Sequence, residues 1–118
     1  MNTRLSRVAI GVPFVLFGLM AGFFYAFGVC VMPGLDRVDP SSAITAMQGI
    51  NAAVRNPVFF VTYFRTPVVT LAVAGGAWVS GEKRSAQWLV AAAVVYGAGV
   101  LIPTGVVNVP LNNALAAI

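Results

Sequence analysis

From Val8 to Met32 the chain runs 25 residues without a charged side chain. As a helix rising about 1.5 Å per residue this stretch is roughly 37 Å long, enough to cross a bilayer with some tilt. Arg4 and Arg7 precede it, as basic residues precede a secretory signal. A signal's apolar part, however, is only about 7–15 residues and ends in small residues before the cut. Phe27-Gly28-Val29-Cys30 is a poor cleavage sequence, so the stretch is read as a retained span over residues 8–32.

Two more apolar stretches follow. One covers residues 57–80, interrupted by Arg65 and Pro67, and the other covers 86–107, with Pro103 and Gly105 near its end. The turn Gly81-Glu82-Lys83-Arg84 separates them. Of the 118 residues, 59% are hydrophobic and 8% charged, and the mean hydropathy is +0.90. Soluble domains carry about 25% charged residues, so this composition leaves too little polar surface for a globule in water. Between the first two spans, Asp39-Pro40-Ser41-Ser42 is a helix-start signal, an acid at the cap with proline in the first turn. Over 41–55, Ala43, Met47, Ile50 and Val54 form an apolar stripe, and Gln48, Asn51 and Arg55 a polar one. The expected architecture is all-α: a single membrane domain, 1–118, of three membrane-spanning helices. One short amphipathic helix joins the first two, lying at the membrane surface or tucked over the bundle.

Composition also removes whole function classes. The seven basic residues are scattered and build no basic face, which excludes nucleic acid as a partner. With no histidine and one cysteine, the chain offers no intramolecular disulfide, no common zinc set, and no histidine-held haem or cysteine-held cluster. No metal site and no cofactor are expected. Asp36, Asp39 and Glu82 lie outside the spans, which argues against a proton-coupled small multidrug transporter.

Arg4, Arg7, Lys83 and Arg84 fall on one side of the bilayer, and the opposite loop sums to zero charge. The positive-inside bias therefore predicts a multi-pass membrane protein, in the plasma membrane if bacterial, with its N-terminus cytoplasmic and its C-terminus outside. Trp78 and Trp88 flank the cytoplasmic turn, where interfacial tryptophans belong.

The candidate functional residues fall at one depth, in the outer half of the membrane. Arg65 is a cation within a span, and two readings of it stand: a side chain snorkelling to the outer surface, or an anion holder inside the bundle. Thr104, Asn108 and Asn112 are spaced i, i+4, i+8 and are expected to share one helix face; they form either a polar cap or part of a site. With Gln48, Asn51 and Arg55 they predict a polar pocket roofed by the amphipathic helix. Its walls would be aromatic, with Phe24, Tyr25 and Tyr63 as candidate substrate contacts among neighbours such as Phe23, Phe27, Phe59, Phe60 and Phe64. Gly18, Gly22 and Ala26, and likewise Ala93 and Gly97, are small-residue faces suited to close helix packing, within the chain or in a homo-oligomer.

Three stretches carry a family resemblance. They are Gly22-Phe23-Phe24-Tyr25 through Val31-Met32-Pro33-Gly34-Leu35, Ala46-Met47-Gln48-Gly49-Ile50-Asn51, and Asn108-Val109-Pro110-Leu111-Asn112-Asn113-Ala114-Leu115. In combination they resemble the DUF1772, or anthrone oxygenase-like, family of small integral membrane proteins. The resemblance implies oxidation of an apolar aromatic, polyketide-type small molecule without metal or flavin. Asn51, Asn108, Asn112 and Arg65 would then be the catalytic donors, and Gln48, Arg55 and Thr104 substrate contacts. Members usually carry four membrane helices, which implies a fourth helix beyond Ile118 or helices supplied by a partner membrane subunit. The alternative expectation is a non-catalytic membrane subunit packed against a partner protein.

Overall fold

The seven prolines account for most of the boundaries and irregularities of this fold. The computed structural model describes residues 3–118, with side chains for all of them except Thr3 and Leu5. Among the described residues there are four helices and no strand. Helix α1 covers residues 3–35 as Thr3–Ala26, a widened π-helical turn Phe27–Val31, and Met32–Leu35. Helix α2 is Pro40–Val54, α3 is Pro57–Val79, and α4 runs through Lys83–Ala116. Helices α1, α3 and α4 are long and apolar enough to cross a membrane, and α2 is not.

Pro40 and Pro57 each open a helix, where the missing N–H costs nothing. The residue before each is a capping side chain. Asp39 accepts from the Ser42 N–H at 3.0 Å, as the helix-start signal predicts. Asn56 accepts from the Phe59 N–H at 2.9 Å, and its own amide nitrogen donates back to the Ala53 carbonyl at 2.9 Å. One side chain thus closes α2 and starts α3.

The other five prolines sit inside long helices. Three of them, Pro33, Pro103 and Pro110, each stand two residues beyond a π-helical turn: Phe27–Val31, Gly97–Leu101 and Thr104–Asn108. A proline clashes with the carbonyl four residues back and cannot donate to it. Widening the preceding turn moves that carbonyl aside while the other groups stay hydrogen-bonded. Helix α4 therefore passes both prolines and runs on to Ala116, beyond the limit near Val107 expected from sequence.

Helix α3 packs between α1 and α4. Its buried face is Tyr63, Thr66, Thr70, Ala74 and Ala77, and α4 answers with Ala86, Ala93 and Tyr96. The buried hydroxyls are satisfied within their own helix: Thr66 donates to the Thr62 carbonyl and Thr70 to the Thr66 carbonyl, both at 2.6 Å. The core is Met20, Tyr63 and Tyr96, with Phe17, Phe59, Val100 and Leu101 against it. Large apolar side chains such as Phe14, Leu19, Val58, Val68, Val94 and Ile102 point outward. That distribution suits a solvent of acyl chains rather than water. The Ala93 and Gly97 face of α4 lies in or beside the core, whereas Gly18, Gly22 and Ala26 of α1 are on the surface.

A tight turn joins α3 to α4. Glu82 N–H reaches the Ala77 carbonyl at 2.9 Å and Gly81 N–H the Trp78 carbonyl at 3.1 Å, a Schellman closure with Gly81 at φ +85°. Ser6 of α1 donates to the Glu82 carboxylate at 2.7 Å, tying the two basic ends of the bundle together. Lys83 lies over the Trp78 ring, 4.8 Å from its centre.

A polar seam between α2 and the end of α4

Helix α2 packs across residues 109–116 of α4 and against the end of α1. Its polar stripe is turned inward. Asn51 is the most buried residue of α2, 9% exposed, with Ile44, Met47 and Gln48 half-buried around it. Apolar Ala43, Ile50 and Val54 are also only half-buried, on the flank of the same face. The amide nitrogen of Gln48 donates to the Leu115 carbonyl at 2.9 Å. One turn beyond Asn51, Arg55 donates to the Asn113 amide oxygen at 3.4 Å. These two bonds bracket Asn51 and hold α2 along the last turns of α4.

Asn51 has no hydrogen-bond partner among the described residues. No fully buried side-chain nitrogen or oxygen there goes unpaired, so the Asn51 amide must still open onto free space. It is an amide lodged in a helix seam with both polar ends available. Asn112 lies half-buried on α4 beside these contacts.

The remaining candidates are distributed differently. Thr104 and Asn112 are half-buried, and Asn108 between them is exposed. Arg65 is exposed, about 130° around α3 from its buried stripe; it faces away from α1 and α4 and makes no ion pair among the described residues. Tyr63 is buried in the core, stacked on Phe59 with ring centres 5.5 Å apart. Phe24 and Tyr25 are exposed. The aromatic residues form a continuous packed chain, Phe27 to Phe23 to Phe59 to Tyr63 to Tyr96 to Phe17, with ring centres 4.9–6.1 Å apart. They fill the bundle rather than wall a pocket.

The Asp36 carboxylate is exposed, and Asp39 is engaged as a cap. Ser42 donates to Asp39 through both hydroxyl and backbone, which holds that carboxyl below its ordinary value of 3.8. Two contacts of this region are absent from the sequence reading. Asn113 and the Leu115 carbonyl are the partners of α2, and only the amide run Asn112-Asn113 hinted at the first. Asn56 was legible in principle, because Asn-Pro is a cap followed by a first-turn proline.

The family model described as anthrone oxygenase matches residues 59–118, which are 60 of the 118 residues. The chain belongs to the anthrone oxygenase family. The matched range covers nearly all of α3 and the whole of α4, including the Asn108–Leu115 motif. The α1 and α2 motifs lie outside it, so the α4 side of the seam carries the family match and the α2 side does not. No curated protein and no solved structure matches the chain.

Proposed function

We propose that the protein is a membrane oxygenase of the anthrone oxygenase type, acting on a flat, apolar, phenolic or polyketide-type aromatic at the seam between α2 and α4. The observation that carries this reading is Asn51: nine-tenths buried and without a hydrogen-bond partner, on a helix bonded to the family-matched end of α4 through Gln48 and Arg55. The reaction is anthrone plus dioxygen to anthraquinone plus water. The C–H bond between the rings breaks, its proton passes to water at the exposed end of the seam, and its electron pair delocalises onto the carbonyl oxygen. The carbanion carbon then bonds to dioxygen, the resulting peroxide takes a proton back from water, and its O–O bond breaks as the second C–H proton leaves, giving the second carbonyl and water. What this asks of a protein is a set of donors aimed at the developing oxyanion in a place of low dielectric. Amide N–H groups of Asn51 and Asn112 suit that role. Gln48 and Arg55 hold α2 in register, each giving a donor to the end of α4, at the Leu115 carbonyl and the Asn113 amide oxygen.

In this reading the seam lies on the outer side, with the N-terminus cytoplasmic and the C-terminus outside. Membranes containing the protein should oxidise an anthrone faster than empty membranes, with matching oxygen uptake. Asn51→Ala and Asn112→Ala should each remove the gain at unchanged expression. Equal rates with and without the protein would end the proposal for that substrate.

A second reading, a non-catalytic subunit covered by a partner, is favoured by an open apolar groove of about 500 Å³ between α1 and α4, lined by Phe17, Met20, Phe24, Trp88, Val95 and others. A stoichiometric protein partner that co-purifies with an inactive chain would select it.

A further inference from the structure

Arg65 stands eight residues into α3, about 12 Å along the helix from Pro57. Its side chain is exposed on the outward arc, and the residues above and below it on that arc are apolar and exposed: Val58, Val61, Val68 and Val79. No hydrogen bond or ion pair is made to it by any described residue. A charged side chain within a span must find a counter-charge or reach water. Helical side chains lean toward the helix N-terminus, so its long stem carries the guanidinium toward the Pro57 end and the headgroup depth. With the stem lying back over Val61, the guanidinium stands near the membrane boundary, and below it an apolar strip runs through Val68 and Ala72 toward the bilayer centre. That is the polarity of a phospholipid, phosphate first and acyl chain after. A guanidinium also matches phosphate geometry better than a point charge does.

We propose that Arg65 is the anchor of an anionic-phospholipid site on the outer face of α3, in the leaflet at the Pro57 end. The guanidinium holds the phosphate, and one acyl chain lies along Val68 and Ala72. This site is separate from the seam and independent of any oxidation there.

The test is native mass spectrometry of the full chain released from nanodiscs of equal dioleoyl phosphatidylglycerol and phosphatidylcholine. One cation at a membrane surface is worth about a fivefold preference. Arg65→Gln should therefore lower the phosphatidylglycerol-over-phosphatidylcholine preference of the unmodified protein about fivefold, with the six other cations unchanged, and Arg65→Lys should fall between them. Helix content and elution volume establish that the variants fold. Equal retention of both lipids by the unmodified protein, or an unchanged preference in Arg65→Gln, would overturn the site. So would displacement of the lipid by equimolar inorganic phosphate, which marks a free-anion site, or a protein partner lost only from Arg65→Gln, which marks a carboxylate contact.

Discussion

The Tyr96 hydroxyl donates to the Tyr63 carbonyl at 2.7 Å, across 33 positions of sequence and between two spanning helices. That carbonyl is four residues before Pro67 and therefore lacks its helical donor. In hydrocarbon no water can replace the donor. One phenol supplies what the proline withholds, and α3 needs no widened turn there, unlike the helices at Pro33, Pro103 and Pro110.

Tyr96→Phe should leave the Tyr63 carbonyl unpaired and cost about 1 kcal/mol. In a Pro67→Ala background residue 67 regains its N–H, the carbonyl regains its own helix partner, and the same substitution should cost close to nothing. Unfolding by sodium dodecyl sulfate in mixed micelles measures the cycle. Equal costs in the two backgrounds would separate the tyrosine bond from the proline.

Gly81 has φ +85° with nothing within 4 Å of where a Cβ would stand. The cost of Gly81→Ala is therefore conformational rather than steric, about 1–2 kcal/mol, and Gly81→Asn should cost less. The same unfolding titration checks both. An alanine variant as stable as its parent would show that the α3–α4 turn rearranges.

The cap of α2 should respond to acid. Asp39 has its pKa lowered in the folded chain, first by the Ser42 hydroxyl and then by the Ser42 backbone. A depressed folded pKa means its contribution is present above the unfolded value near 3.8 and is lost as pH falls through the lower folded value. Protection of the Ser42 amide, relative to an unfolded chain at the same pH, should fall across that interval. Asp39→Asn, still a good cap, should show no such pH step.

Gln48 and Asn51 should separate by experiment. Gln48→Leu removes the bond to the Leu115 carbonyl, and hydrogen exchange over residues 40–54 should rise about fivefold or more, the equivalent of roughly 1 kcal/mol. Asn51→Ala removes no bond, so that protection should hold while anthrone oxidation falls. A loss of protection in Asn51→Ala would make it a packing residue.

The spans, the short helix between them and its Asp39 cap were legible because they rest on local rules: long uncharged runs, a capping acid, a first-turn proline. The polar stripe of α2 was legible too, but not the direction it faces. Helical spacing shows that Gln48, Asn51 and Arg55 share a side, whereas the partners that fix its direction, the Asn113 side chain and the Leu115 carbonyl, are distant in sequence. The exposure of Asn108 between half-buried Thr104 and Asn112 was not legible, because it depends on what packs beside the end of α4. Arg65 could be recognised as an intramembrane cation, but the side of α3 it occupies depends on how α3 sits between its neighbours. Tyr96 passed unnoticed because its role is defined by Pro67, in another helix.

The bond from Gln48 to the Leu115 carbonyl spans 67 positions, which sets an order of events during synthesis. At roughly 5–20 residues per second, the roof helix waits several seconds at the bilayer surface before its landing strip leaves the ribosome. The first two spans can be threaded and paired by then. The polar seam is the last part of the molecule to close, and a chain halted within α4 short of Leu115 would carry its earlier spans without that seam.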